Sequence, residues 1–106
     1  MKFIPTESFN KDAKRLAKKY PSIFKDLDAL FEKLEQNPYE GKSLGNNTYK
    51  VRMAIASKNT GKSGGARVIT CVQIIDDTIH LLTMYDKSEM ENISDAYLEQ
   101  LRKSIE

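Results

Sequence analysis

Apolar residues recur along this chain with two different periods. Phe9, Ala13, Leu16, Ala17 and Tyr20 return at helical spacing, with Lys11, Lys14, Arg15, Lys18 and Lys19 on the opposite side, which predicts a first amphipathic helix. Thr6 or Ser8 suits its N-cap. Pro21 disfavours helical geometry at Tyr20 and ends it there. A second helix follows with Pro21 in its first turn and a stripe of Ile23, Phe24, Leu27, Leu30, Phe31 and Leu34, closed by Asn37-Pro38. So short a connection predicts an antiparallel helical hairpin. Ahead of it, "MKFIP" is short, apolar and stopped by proline, the pattern of an edge strand.

After the loop "YEGKSLGNN" the period changes to two. In "TYKVRMAIA", Tyr49, Val51, Met53 and Ile55 alternate with Lys50, Arg52, Ala54 and Ala56. Beyond "SKNTGKSGG", the run "ARVITCVQII" puts Ala66, Val68, Thr70, Val72 and Ile74 on one face and Arg67, Ile69, Cys71, Gln73 and Ile75 on the other. Asp76-Asp77 predicts a tight turn. "TIHLLTMY" is apolar on both faces, as a central strand is, and sets His80, Leu82 and Met84 on one of them. Asp86 to Ile93 reads as a loop. Ile93, Ala96, Tyr97, Leu101 and Ile105 predict a last, shorter helix capped by Ser94. The expectation is an α+β fold in one domain, residues 1–106: N-terminal strand, helical hairpin, three-strand antiparallel meander and short C-terminal helix.

Composition narrows the class. A chain of 106 residues suits a single core. No apolar run approaches a membrane span and the N-terminus has no signal-peptide pattern, so a cytoplasmic protein without a membrane partner is expected. The single cysteine, Cys71, has no disulfide partner and no metal-ligand companions, and no acidic cluster is available to hold a metal. The net charge of +2 conceals an asymmetry. All 15 acidic residues lie outside the interval from Gly41 to Ile75, which carries Lys42, Lys50, Arg52, Lys58, Lys62 and Arg67. Such a block predicts a surface patch for an anion or a nucleic acid.

Within the block, "ASKNTGKS" approaches the phosphate-binding G-x-x-x-x-G-K-[ST] pattern. That loop must open directly into a helix whose free amides hold the phosphates. Here Gly64-Gly65 and the strand pattern "ARVIT" follow, so no nucleotide cofactor is expected; the glycines read as hairpin residues needed for positive φ. Lys50 and Arg52 share one face of their strand, and Arg67 opens the next. An antiparallel meander brings Lys87, with Tyr85 nearby, to the same end. Four cations gathered in this way suit a phosphodiester: they offset charge on a pentacoordinate phosphorus, and an arginine fork holds two of its oxygens.

The stretches "YKVRMAIASKNTGKSGGARVI" and "IHLLTMYDKSEMENIS" resemble the RelE/HigB toxins of bacterial toxin–antitoxin systems. The shared features are a Lys-x-Arg strand, a basic hairpin ending in Gly-Gly-x-Arg, and a Tyr-x-Lys-x-Glu strand end. The resemblance implies a small α+β fold, metal-independent cleavage of mRNA in the ribosomal A site without a cofactor, and inhibition by a cognate antitoxin. It implies Lys50 as general base, Arg52 and Arg67 as phosphate stabilisers, and Lys87 as stabiliser or acid. Lys42, Lys58 and Lys62 would grip RNA. The chain departs from the family pattern at three points: Lys87 stands where many RelE proteins have arginine, Tyr85 precedes rather than follows it, and His80 is alone where some HigB toxins pair two histidines. Two alternatives share the scaffold, a ParE-like toxin that binds gyrase and an RNA-binding member without nuclease activity. They are separable by gyrase and translation assays.

Overall fold

The first helix begins where Thr6 turns extended, its hydroxyl accepting from the Phe9 amide at 3.1 Å and donating to the Leu82 carbonyl at 3.0 Å. One side chain thus caps the helix and ties its start to the sheet. The computed structural model describes residues 1–59 and 61–105. Its elements are β1 (Lys2–Pro5), α1 (Glu7–Lys19), α2 (Ile23–Gln36), β2 (Lys42–Gly45), β3 (Thr48–Met53), a 3-10 turn (Ala56–Lys58), β4 (Ala66–Gln73), β5 (Thr78–Asp86) and α3 (Asp95–Lys103). Pro21 precedes Ser22, the N-cap of α2, so it lies in the connecting turn and not in the helix's first turn.

The strands form one sheet in the order β1-β5-β4-β3-β2, with β1 parallel to β5 and every other pair antiparallel. The helical hairpin covers one face through Phe9, Leu16, Ile23, Leu30 and Leu34 against Val51, Val68 and Ile79. On the other face Leu98 and Leu101 of α3 pack on Ile69, Cys71, Leu82 and Tyr85. Two buried leucines supply at most about 3–6 kcal/mol before the cost of ordering the helix, so polar anchors matter there. Arg102 provides them, donating to the Thr48 hydroxyl at 3.0 Å and to the Gly45 carbonyl at 3.1 Å. Ser94 caps α3 as expected.

Four expectations need correction. Residues 42–45 are a strand, folded back on β3 through Asn46 and Asn47, both at positive φ, as a two-residue hairpin turn requires. A register shift opposite Ile69/Thr70 inserts an extra residue in β5, so Leu82 faces α3 while Met84 faces the hairpin helices. The strand β4 ends at Gln73, leaving Ile74 and Ile75 exposed in the turn. The buried residues of α3 are Leu98 and Leu101, with Ala96 exposed.

Candidate nucleic-acid interface

Strand register builds the cationic face. The pairing of β2 with β3 sets Lys42 opposite Lys50, and that of β3 with β4 sets Arg52 opposite Arg67. Arg67 is in turn opposite Tyr85 on β5. Residues directly opposite share a face at about 5 Å, and like charges there repel. The structure therefore brings together Lys42, Lys50, Arg52, Arg67 and Tyr85 at the side of the sheet that α3 leaves open. Among the described residues none of these four cations makes an ion pair.

Two glycines hold this arrangement by close approach. A Cβ on Gly41 would stand 2.3 Å from the Lys50 carbonyl oxygen, and φ there is +97°. A Cβ on Gly65 would stand 2.2 Å from the Met53 carbonyl oxygen. Of the hairpin glycines 61, 64 and 65, Gly61 is the one at positive φ; Gly65 is needed for space, which differs from the expectation of left-handed geometry. After the hairpin, Ala66 enters β4 directly, so no helix follows Gly-Lys-Ser.

The side chains differ sharply in what they offer a ligand. Lys50 is half-buried. Desolvation first, then the charges of Lys42, Arg67 and Arg52, push its ammonium below the ordinary lysine pKa. Arg52 is exposed. Arg67 is only 5% exposed and its guanidinium clamps the hairpin, donating to the carbonyls of Lys62 and Ala66 at 3.1 Å and of Ser63 at 3.2 Å. Burial and Arg52 lower its pKa, against the opposing influence of Tyr85. Tyr85 is 2% exposed. Its hydroxyl has no hydrogen-bond partner among the described residues, and burial raises its pKa. Both Arg67 and Tyr85 thus sit beneath the surface expected to present them.

Lys58 and Lys87 lie elsewhere. The Lys58 ammonium is 2.8 Å from Asp86, which is fully buried and also accepts from the Tyr20 hydroxyl at 2.6 Å and the Ser88 amide at 3.0 Å. Burial alone would raise the Asp86 pKa, but these bonds together hold it well below the usual carboxylate range. Lys58 is therefore an internal structural cation, not a free one on a loop. Lys87 is exposed, its amide bound to the Gly65 carbonyl at 3.0 Å. It lines a shallow depression with Lys58, Ser63, Gly64 and Ser88, apart from Lys50 and Arg52. His80 pairs with Gln73 at 3.0 Å and borders a different cavity with Tyr97.

The sequence reading missed Lys33. It projects from α2 to line, with Glu40, Lys42, Lys50, Arg52 and Lys62, a depression of about 450 Å³. Nothing local in the helix pattern marks it, because its neighbours come from strands and a loop. Among the described residues no group of three or more His, Cys, Asp or Glu is placed to hold a metal.

Over residues 1–105 the chain matches the family described as the RelE toxin of the RelE/RelB toxin–antitoxin system. No curated protein sequence matches it. The fold is similar to that of the E. coli toxin RelE, solved in the free state as a double arginine-to-alanine mutant. The TM-score is 0.65 and the identity 14%, covering 96% of this chain and 95% of that one. No helix among the described residues is long and apolar enough to cross a membrane.

Proposed function

The chain belongs to the RelE toxin family of RelE/RelB toxin–antitoxin systems, and from that premise we propose that it is an endoribonuclease that cleaves mRNA in the ribosomal A site. The observation that carries this reading is the register that sets Lys42 beside Lys50 and Arg52 beside Arg67, without counter-ions among the described residues. The reaction is attack of an RNA 2′-hydroxyl on the adjacent phosphate, leaving a 2′,3′-cyclic phosphate and a free 5′-hydroxyl. Lys50, lowered in pKa by burial and three neighbouring cations, takes the 2′ proton as the neutral amine. Arg52, exposed at the same point, binds the non-bridging oxygens as charge accumulates on them. Lys42, the cross-strand neighbour of Lys50, is the nearest ammonium by register and protonates the departing 5′ oxygen. Arg67 is a positioning residue: it shapes the hairpin and adds its charge to those acting on Lys50. Tyr85 takes no part in this scheme because its hydroxyl is buried. Catalysis needs no metal ion on this reading, and the cognate antitoxin is the partner that restrains it.

The test is single-turnover cleavage on programmed ribosomes with EDTA present. Lys50→Ala and Arg52→Ala should each lower the rate by a factor on the order of a hundred, the scale of losing one charge-stabilising or proton-transferring group. The product ends should be cyclic phosphates. Wild-type cleavage by Lys50→Ala, or a 5′-phosphate product, would remove this mechanism. Ribosome binding without any cleavage would favour the binding-only reading, for which the burial of Tyr85 and the engagement of Arg67 speak.

A further inference from the structure

Strand β2 pairs with β3 only as far as Lys50, so the edge of β3 from Val51 to Met53 is left open beside α2. Two depressions meet across that edge. One, of about 450 Å³, includes Lys42, Lys50 and Arg52 with Lys33 and Lys62. The other, of about 290 Å³, continues along α2 over Ala29, Leu30, Met53 and Ala54. Lys33, Arg52 and Lys62 line both, so the two form one groove with its cations at the junction. Lys33 and Lys62 are neighbours in both linings, and the proximity of Lys33 lowers the Lys62 pKa, with Glu40 acting the other way. Among the described residues neither makes an ion pair. Two acids border the groove. Glu40 lines the first depression. Asp26 lines the second, where its carboxylate is engaged by the Ser22 hydroxyl at 2.7 Å and the Ala56 amide at 3.2 Å.

From this geometry we infer that Lys33 and Lys62 hold the phosphate next to the one cleaved, and that the RNA strand leaves the sheet over the open edge of β3 onto α2. The inference rests on reading the Lys50 face as an RNA site. It names a further binding residue, Lys33, and a nucleotide position. Each side of the groove suits one part of a nucleotide. The paired ammonium groups take a phosphate, which relieves their mutual repulsion. The floor is apolar, with Ala29 and Ala54 accessible over the buried Leu30 and Met53, so the apolar face of a base can lie over it. The same depression holds Lys50 and Arg52, where the cleaved phosphate is placed, and this continuity with the proposed cleavage site favours RNA over an acidic peptide.

The experiment is binding of a fluorescent single-stranded oligoribonucleotide to the full chain across a salt series, for wild type, Lys33→Ala, Lys33→Arg and Lys25→Ala. Lys25 is an exposed cation of the same helix that does not line the groove. Losing one phosphate contact to a single strand should flatten the slope of log affinity against log salt by about 0.7, and weaken binding about equally across sequences. Lys33→Ala should show both effects, Lys33→Arg should keep the wild-type slope, and Lys25→Ala should change nothing. A wild-type slope in Lys33→Ala, with cleavage on ribosomes intact, overturns the inference and leaves the nuclease reading standing. An unchanged slope with slower antitoxin association would assign the groove to the protein partner instead. A wild-type chain that neither binds nor cleaves RNA overturns both.

Discussion

Replacing Arg67 with alanine tests whether its guanidinium is a clamp or a ligand for RNA. The substitution removes a side chain that is 5% exposed and three hydrogen bonds of 3.1–3.2 Å to the carbonyls of Lys62, Ser63 and Ala66. Lys62 and Ser63 are exposed, so their carbonyls regain water and cost little; Ala66 is buried. The Ala66 carbonyl keeps its place in the ladder opposite Met53, so the loss is that of the hydrogen bonds themselves, about 0.5–1.5 kcal/mol each and least at the two carbonyls that regain water, with the lost packing of the side-chain stem added. Relief of repulsion with Arg52 returns less than about 1 kcal/mol, the scale of pairs in contact with solvent. The expected loss is roughly 2–3 kcal/mol against a total of about 5–15 for a domain, so the variant folds but unfolds at lower urea. Backbone amides of residues 61–65 should also exchange faster, because the loop has lost its anchor. Arg67→Lys should recover part of the stability, since one ammonium cannot span three carbonyls. Cleavage should fall in step with loop disorder, with ribosome affinity changing less. An unfolding midpoint within error of wild type, with cleavage abolished, would refute the clamp and return Arg67 to the phosphate.

Three other outcomes follow from the geometry. Because the folded pKa of Asp86 is depressed, its network stabilises fully above the ordinary carboxylate range near pH 4 and is lost as pH falls below it; Asp86→Asn should cost roughly 3 kcal/mol by leaving Lys58 without its counter-charge and should flatten the acid limb of a stability–pH curve. The cleavage rate should rise with pH along a limb that lies below the usual lysine value, and Lys42→Gln, by removing a like charge, should move that limb to higher pH while lowering the rate; a limb that stays in place separates Lys42 from Lys50. Gly65→Ala should displace the Met53–Ile55 backbone, seen as shifted amide resonances at those residues and reduced stability; unshifted resonances there would refute the close approach.

The helices and long strands were legible because each carries its own period: Phe9 to Tyr20 and Ile23 to Leu34 announce α1 and α2, and Val51 with Met53 announces β3. What could not be read depends on residues far apart in the chain. "KSLG" has one apolar residue in four and becomes a strand only because β3 lies beside it; the single local hint was Asn46-Asn47 in its turn. The extra residue at Leu81/Leu82 carries no sequence mark, so Met84 was assigned to the wrong face. Alternation put Lys50 and Arg52 on one face with Arg67, as the register has them, but it left Lys42 in a loop and sent Lys87 to the same cluster. Exposure was not legible, because the partners that bury Arg67 are backbone carbonyls and the partner of Lys58 is an aspartate 28 positions away. Lys33 escaped for the same reason: its companions arrive from β2, β3 and the hairpin.

The pairing of β1 with β5 joins Lys2 to Thr78, far apart in the chain. Contacts of such long separation form late, because the loop between them must close first. During synthesis β1 and the helical hairpin emerge early and wait: until β5 follows, β1 has no neighbour and β4 is unpaired on one side, and α3 is still to come over the face that carries Lys50 and Arg67. For a chain proposed to cleave mRNA on the ribosome, the order matters: a copy still being made cannot complete the sheet that carries Lys50 and Arg67 until β5 has emerged to join β1 to β4.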